Sequence, residues 1–471
     1  MPRLSLRAAV PLLLVACPAD ETPLTTMTSE STADESSGGT PTEGVAVSTD
    51  ATEPGTGSSG EASTTAGEST GPIAPPVCGN GFVEGDEPCD DGNDEPDDGC
   101  DKKCMRTGVP LWTQSWDSGA KKDDSGAMVA LGPNGEIFVA GTVEKSDLYA
   151  DAVVRKLDAD GNQLATYEYA GQLGLDDGSR GLAVGADGSV FLTGYEALVD
   201  GGSEQAFVRK FAADGEVLWT YTQQSMYADS YSAVFAVAVE GDAVFVAGSE
   251  ETAYKVYETY VHRLDPDDGQ PMWTNHIAST GFNTHGLAIA PGGDVVLATA
   301  GIDPNDDPTP IVARYAPTDG TEVWMQTFDE VGYARGLAVN ADGDIAITGW
   351  IVSTQGDANY WTARLTGEGD VVWSIDYDHD QKDDVGGAIA WSADGDLYTG
   401  GWVYVGNQQN DVFVRRLTGD GETYWYSVYN DPSDLYDSVS GLAVGADKVV
   451  VVGSEFVSGN GANQWIRAYA P

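Results

Sequence analysis

A two-part repeat of about fifty residues fills most of this 471-residue chain and restricts its fold more than any other feature. The first part places two short β-branched segments on either side of a Gly-Asp or Asp-Gly turn, as in GLAVGADGSVFLTG from Gly181 to Gly194. Glycine in such a turn supplies the positive φ of a tight hairpin. Seven copies begin at Met128, Gly181, Phe235, Gly286, Gly336, Gly387 and Gly441.

The second part of the repeat is again strand, turn and strand, as in AFVRKFAADGEVLWTY from Ala206 to Tyr221. Its seventh copy is divided between the two ends of the region. The last residues, WIRAYAP, supply a third strand, and VPLWTQSW (Val109 to Trp116) supplies the missing fourth. The sequence therefore predicts an all-β, seven-bladed β-propeller over residues 108–471, closed by an N-terminal strand that hides the open sheet edges.

The VRKLDADG segment of the repeat and the loops around it resemble the seven-bladed propeller repeats of secreted bacterial proteins. The Asp-Gly-x-x-x-Trp element is also similar, more distantly, to the tryptophan-docking repeat of quinoprotein propellers. Those enzymes typically have eight blades, with a vicinal disulfide and calcium near the cofactor. This chain has seven copies and no cysteine after Cys104, so the resemblance implies the fold and no chemistry.

Residues 1–16 have the features of a signal peptide, with Arg3 and Arg7 before a short apolar stretch. Leu14-Val15-Ala16-Cys17 resembles the lipobox of bacterial lipoproteins, which implies cleavage before Cys17 and acylation of its thiol. An ordinary secretory peptide with an incidental Cys17 is the alternative. We expect export and lipid anchoring to the bacterial envelope, at the outer membrane or cell surface.

The segment 17–77 is rich in Ser, Thr, Gly, Pro and acidic residues and contains no Lys or Arg. It has too little apolar surface to offset the entropy of ordering, so we expect a disordered stalk. Residues 78–104 then contain Cys78, Cys89, Cys100 and Cys104. In an exported chain this predicts two disulfides, with three possible pairings. The segment resembles the cysteine-rich repeat of myxobacterial surface proteins.

Two groups of acidic residues are candidate cation sites. Carboxylates close to glycine turns suit Ca²⁺, which takes six to eight oxygen ligands, whereas a solvated acidic loop or turn capping is the alternative. The first group lies in the cysteine-rich segment: Asp90, Asp91, Asn93, Asp94, Asp97 and Asp98. The second precedes the first strands and would surround one mouth of the central channel: Asp124, Asp177, Asp383 and Asp437, with Asp123, Asp176, Asp229 and Asp384 beside them.

A tryptophan recurs near the start of the fourth strand of most blades, where we expect it to dock one blade onto the next. The series is Trp112, Trp219, Trp273, Trp324, Trp373 and Trp425, and Ala165 interrupts it. Trp350 and Trp402 fall outside this register, at positions where a loop begins. Their rings either stack on a ligand or are partly buried, and the sequence does not distinguish the two. Basic residues also recur in the third strand of the blades. Two interpretations are that they pair with turn aspartates and that they form a ring that binds a ligand.

The formal net charge of −52 excludes a nucleic-acid ligand, because phosphates require clustered Lys and Arg. No catalytic sequence motif is recognisable, which favours a protein that is not an enzyme. We expect a monomeric surface module that binds or scaffolds an unknown protein or glycan through propeller loops, with Ca²⁺ as a possible cofactor and membrane contact only through the lipid anchor. The alternatives are an extracellular enzyme (a carbohydrate-active propeller or divergent quinoprotein) and an envelope assembly factor.

Overall fold

The computed structural model describes residues 77–84, 87–93, 98–119, 122–146, 149–171, 173–199, 202–225, 230–279, 286–405, 409–430 and 435–471. All of them belong to one compact unit, Pro75–Pro471. The predicted signal peptide, Cys17 and the predicted stalk up to residue 76 lie outside the described residues, as do Asp94, Asp97 and Asp229. None of the described segments forms a helix long and apolar enough to cross a membrane.

The described residues form twenty-eight strands in seven antiparallel, four-stranded sheets, which confirms the predicted propeller. Blades 1 to 3 consist of β2 (Ser125–Leu131), β3 (Ile137–Ser146), β4 (Tyr149–Leu157), β5 (Gln163–Tyr169); β6 (Asp177–Val184), β7 (Val190–Ala197), β8 (Glu204–Phe211), β9 (Val217–Gln224); β10 (Ser232–Glu240), β11 (Ala243–Ala253), β12 (Val256–Leu264) and β13 (Pro271–Ser279).

Blades 4 to 6 follow the same order along the chain, from the innermost to the outermost strand. They consist of β14 (Gly286–Ile289), β15 (Val295–Ile302), β16 (Pro308–Tyr315), β17 (Glu322–Thr327); β18 (Gly332–Val339), β19 (Ile345–Val352), β20 (Ala358–Leu365), β21 (Val371–Tyr377); β22 (Val385–Trp391), β23 (Leu397–Val405), β24 (Gln409–Leu417) and β25 (Thr423–Tyr429).

Blade 7 contains strands from both ends of the described chain, as the split repeat predicts. Its strands are β26 (Asp437–Val444), β27 (Val449–Val457), β28 (Gly461–Tyr469) and, outermost, β1 (Pro110–Trp116). Strand β1 pairs antiparallel with β28, from Pro110 opposite Tyr469 to Trp116 opposite Gln464. The inner strands β2, β6, β10, β14, β18, β22 and β26 contact one another in that order, and β26 returns to β2, so the ring is closed.

The hydrophobic core lies between blades, because each sheet packs both of its faces against neighbours. The two middle strands of a blade are therefore almost continuously apolar and buried, as in β15 (Val295–Ile302). The cluster between blades 1 and 2 is typical: Phe138 and Val154 of blade 1 contact Leu182 and Leu192 of blade 2. Burial of such side chains stabilises the fold by about 1.5–3 kcal/mol each.

The antiparallel order gives the ring two different faces. We call the face with the connections between blades and the turns between second and third strands the link face. The opposite face, with the turns between first and second and between third and fourth strands, is the turn face. Each inner strand runs from the link face to the turn face, so residues just before it lie at the link-face mouth of the central channel.

Most inner strands contain a β-bulge near their middle, where one residue has no partner on the second strand. Examples lie between Ser179 and Gly181 in β6 and between Val439 and Gly441 in β26. At Gly441 an added Cβ would lie 2.7 Å from the Cα of Met128, so neighbouring inner strands are in close contact here. Because both sheet faces are covered by neighbouring blades, the bulged residue faces the channel.

The cysteine-rich segment has nested disulfides, Cys78–Cys104 and Cys89–Cys100. It is attached to the outer strand of blade 6, β25 (Thr423–Tyr429). Residue Thr107 forms a parallel bridge with Tyr426, and the Tyr426 hydroxyl donates to Asp101 over 2.8 Å. The guanidinium of Arg106 lies 4.6 Å from the ring centroid of Tyr424. These contacts lead the chain from blade 6 directly into β1 of blade 7.

Candidate functional site

Four buried aspartates stand where the chain enters an inner strand at the link face: Asp124, Asp177, Asp384 and Asp437. Their carboxylates accept hydrogen bonds from backbone N–H groups. Asp124 accepts from Glu144 over 2.9 Å, and Asp384 accepts from Tyr404 over 3.0 Å. Further donors are the N–H groups of Ser118 to Asp124, Gly171 to Asp177, His379 to Asp384 and Phe456 to Asp437.

A second aspartate precedes three of these residues and makes a different contact. It accepts a hydrogen bond from the third strand of the preceding blade: Ala462 N–H to Asp123 (2.9 Å), Ala150 N–H to Asp176 (3.0 Å) and Ala358 N–H to Asp383 (2.9 Å). Each Asp-Asp pair therefore holds the connection between blades to both of them. This geometry is that of backbone capping, the alternative to a cation site.

The sequence predicts that Asp383 of blade 6 occupies the same position as the mouth aspartates of the other blades, and the structure corrects this prediction. Asp384, and not Asp383, occupies the position of Asp124, Asp177 and Asp437, because Asp384 is buried and bonded to its own blade. Asp383 is exposed and bonded to blade 5, like Asp123 and Asp176 in their blades. The sequence shows two adjacent aspartates at this point, and only the packing distinguishes the buried one.

Burial raises the pKa of several of these acids. The pKa of Asp177 rises to about 6 through burial, and the charge of Glu196 adds to the shift. The pKa of Asp384 rises to about 7, again mainly through burial. Burial also raises the pKa of Asp124. Glu204, at the start of β8, has a pKa raised by burial to about 7, which the charge of Arg180 opposes.

Within the described residues, no three mouth carboxylates come close enough to share a metal ion; the one close group of potential ligands there is Cys78, Cys104 and Glu87, in which both cysteines are disulfide-bonded. In the cysteine-rich segment, Asp90 accepts from the N–H groups of Asn80, Gly81 and Gly92. Asp91 accepts from Cys100, and Asn93 donates to Asp98. The calcium hypothesis stays a prediction for both places.

At the turn face, the recurrent tryptophans lie against the next blade. The Trp219 ring covers Gly269, where an added Cβ would lie 2.6 Å from the ring, and its Nε1 donates to the carbonyl of Pro266 over 2.9 Å. A flat ring against a glycine backbone buries a large apolar area. The remaining pairs are Trp112 on Gly161, Trp273 on Gly320, Trp324 on Gly369, Trp373 on Gly421 and Trp425 on Gly108, with Tyr167 on Gly215 where Ala165 interrupts the series.

The basic residues of the third strands strengthen the same contacts. Arg263 and Trp273 both donate to the carbonyl of Pro317, over 2.7 and 3.0 Å. Arg314 bonds the carbonyl of Gly367 and forms an ion pair with the turn residue Asp294. The residue directly before each of these positions points to the opposite face of the sheet. In blade 2 this residue is Arg209, whose guanidinium lies 3.8 Å from the Tyr169 ring centroid. These cations dock blades and do not form a free ligand-binding ring.

Sequence reasoning missed two arginines at the channel. Arg180 and Arg335 occupy the bulge of β6 and β18, each directly before the glycine that opens a repeat copy. Arg180 is exposed between buried neighbours, and Arg335 is partly exposed. Burial lowers the pKa of Arg335. Alignment of the copies from the preceding residue would have shown both. His285 precedes Gly286 in the same way but lies outside the described residues.

The fold and these contacts define the class, a seven-bladed β-propeller preceded by a disulfide-paired module. Family models match three parts of the chain: a domain of unknown function (DUF4215) at residues 73–105, the outer membrane protein assembly factor BamB at 103–301, and a domain of unknown function (DUF5122) described as a β-propeller at 392–423. Comparison with curated proteins gives no match.

Solved structures similar to this chain include a protein of unknown function from Bacteroides caccae (11% identity, 59% of this chain and 90% of that chain, TM-score 0.38). The Dos1 propeller (11%, 77% and 95%, TM-score 0.44) and a europium-containing methanol dehydrogenase (11%, 78% and 95%, TM-score 0.44) are others.

Proposed function

We propose that the protein is a non-catalytic binding module that presents the link face of its propeller to a protein or glycan at the cell envelope. One observation carries this proposal. The link-face acids with a strongly raised pKa are the natural candidates for acid–base catalysis. Yet Asp177 and Asp384 are buried and bonded to the backbone that shapes the face, which supports a structural role for them.

The proposal includes export through residues 1–16 and a lipid anchor on Cys17, which would leave the propeller in a position to display its loops. The resemblance of Leu14-Val15-Ala16-Cys17 to a lipobox supports this part. Incorporation of labelled palmitate into the wild-type protein, and its loss in Cys17→Ala, would test it. Export without incorporation would contradict the anchor and leave the binding proposal standing.

The binding face can be tested by selective blocking, because residues 105–471 contain no cysteine. Lys382→Cys places a thiol on the exposed link before blade 6, and Asp342→Cys places one on an exposed turn of the turn face. We expect a bulky maleimide at position 382 to abolish capture of envelope components and the same label at position 342 to leave capture unchanged. Equal capture by both labelled proteins would contradict the proposal.

Calcium dependence is part of the proposal and has its own test. The metal-stripped protein is unfolded thermally while Ca²⁺ is titrated, with Mg²⁺ as the control. A site filled to a hundred times its Kd should stabilise the protein by about 2.7 kcal/mol. A melting temperature that does not change would rule out calcium binding and leave the acids as backbone caps.

A second candidate is a scaffold in envelope assembly. It is favoured by the match of residues 103–301 to the model of the outer membrane protein assembly factor BamB. Deletion of the gene should then lower the amount of folded outer-membrane proteins. Unchanged outer-membrane protein levels would remove this candidate. Turnover of a polysaccharide that disappears in Asp384→Asn would instead favour an enzyme.

A further inference from the structure

The arginines of the propeller fall into two groups that differ in their hydrogen bonds. Eight of the ten arginines between residues 110 and 471 donate at least one side-chain hydrogen bond: Arg155, Arg209, Arg263, Arg314, Arg364, Arg415, Arg416 and Arg467. Among the residues that the structure describes, neither Arg180 nor Arg335 has such a bond or an ion pair. Three of these eight, Arg314, Arg364 and Arg416, also form an ion pair with an aspartate. Within the described part of the chain, Arg180 and Arg335 therefore differ from the other eight in having neither kind of contact.

The two exceptions share one position in the ring. Arg180 is the bulged residue of β6 in blade 2, and Arg335 is the bulged residue of β18 in blade 5. Equivalent residues lie at the same depth of the channel, and blades 2 and 5 are three places apart in a ring of seven. The two arginines therefore stand on nearly opposite sides of one channel.

An aromatic ring lies beside Arg180, and two aromatic residues lie on the strands next to Arg335 in blade 5. The Arg180 guanidinium is 5.0 Å from the ring centroid of Tyr195, on the second strand of blade 2. Tyr333 precedes Arg335 by two residues on β18, and its ring centroid is 5.0 Å from that of Trp350. These aromatic residues are only partly buried. The channel mouth thus combines cations with flat apolar surfaces.

The described acids near Arg180 do not contact its guanidinium directly. Glu204 and Asp176 belong to the same region of the link face, and the charge of Arg180 acts on Glu204. Neither acid forms an ion pair with Arg180 in the structure. A planar guanidinium with free donors binds a carboxylate through two parallel hydrogen bonds.

We propose that Arg180 and Arg335, with Tyr195, Tyr333 and Trp350 beside them, form a channel site for a carboxylate-bearing sugar. The arginines bind the carboxylate, and the aromatic rings pack against the apolar face of the sugar, as in pockets that combine aromatic walls with a few polar groups. The site deepens the proposed function, since it names the ligand class of the link face.

Isothermal titration of the wild-type protein with glucuronate tests the site. Glucose, which lacks the carboxylate, and inorganic phosphate, which lacks the ring, are the control ligands. We expect saturable binding of glucuronate, with glucose and phosphate at least about tenfold weaker, since a hydrogen bond to a charged group contributes about a factor of ten or more. Absence of glucuronate binding, or equal binding of phosphate, would overturn the proposal.

Variants locate the binding. Arg180→Gln and Arg335→Gln should each raise the Kd for glucuronate about tenfold or more, and the double variant should abolish binding. Lys102→Gln removes the same charge from an exposed residue of the cysteine-rich segment and should leave the Kd unchanged. Equal effects of Lys102→Gln and Arg335→Gln on the Kd would show that glucuronate binding depends only on the overall charge of the protein and would contradict the proposed site. Because capture at position 382 is measured separately, the site can fail while the binding function stands.

Discussion

The turn face and the link face of the propeller join the same blades by different means. On the turn face an aromatic ring lies on a glycine of the next blade in every blade, with Tyr167 as the one replacement of tryptophan. On the link face the connections are held by aspartates in blades 1, 2, 6 and 7, and the sequences vary elsewhere. Uniform contacts indicate a purely structural role, whereas a face that differs between blades can recognise a ligand.

The largest effect is expected where a docking ring is removed from the turn face. Trp219→Ala should lower the free energy of unfolding by about 3–5 kcal/mol, because a buried ring is lost together with its hydrogen bond to Pro266. Denaturant unfolding measures it. The preceding residue, Leu218, is 51% exposed, so Leu218→Ala should cost about 0.5 kcal/mol or less. Equal losses in the two variants would show that docking by tryptophan contributes little.

Two glycines of blade 5 separate ring contact from backbone strain. Gly369 and Gly343 both have φ of +91°, but an added Cβ meets Trp324 at 3.0 Å only at Gly369. Gly343→Ala should cost about 1–2 kcal/mol for the left-handed conformation. Gly369→Ala should cost about 1–3 kcal/mol more, because the ring must move. If the unfolding curves of the two variants coincide, both positions require glycine only for its positive φ and not for the contact with Trp324.

The link face should make stability depend on pH. The pKa of Asp384 in the folded protein, about 7, lies above its ordinary value of 3.8. The protonated acid is therefore favoured by folding, and its contribution is complete below pH 3.8 and lost as the pH rises through about 7. We expect the free energy of unfolding to fall across this range, with Asp177 acting in the same sense up to about pH 6.

Asp384→Asn should reduce the change of the free energy of unfolding with pH. Asp383→Asn, an identical change at the exposed neighbouring residue, should leave that pH dependence in place. Denaturant unfolding between pH 4 and pH 8 measures both variants. The overall negative charge affects the two variants equally, so the difference between them isolates the buried acid. Parallel profiles would show that burial of Asp384 does not govern the pH dependence.

The smallest effect is expected for an ion pair of the turn face. Arg314 and Asp294 are 2.8 Å apart and both are partly exposed. A double-mutant cycle with Arg314→Gln and Asp294→Asn should give a coupling free energy of about 0.2–1 kcal/mol, reduced in high salt. A coupling above about 2 kcal/mol would place this pair among the main docking contacts.

The repeat pattern predicted the number of blades, the closing strand β1 and the sequence positions of the tryptophans. These features follow from local hairpins repeated at a constant spacing, and each copy reports the same environment. The distinction between Asp383 and Asp384 could not be predicted, because both are acidic and one residue of register decides which carboxylate enters the protein. Arg180 and Arg335 could have been found by starting the alignment of the copies one residue earlier. Their lack of side-chain hydrogen bonds to the described residues, however, could be seen only in the structure.

The sequence by itself determined the all-β architecture and the cysteine content of the module, since hairpin turns and alternating apolar residues act over a few positions. Only the tertiary structure decided which cysteines pair. It also brought Trp425 onto Gly108, because blade 7 takes its outer strand from the far end of the chain and has no turn of its own there. The split repeat predicts that β1 closes the ring, but Gly108 lies outside the repeated turn, so its contact with Trp425 leaves no periodic trace in the sequence.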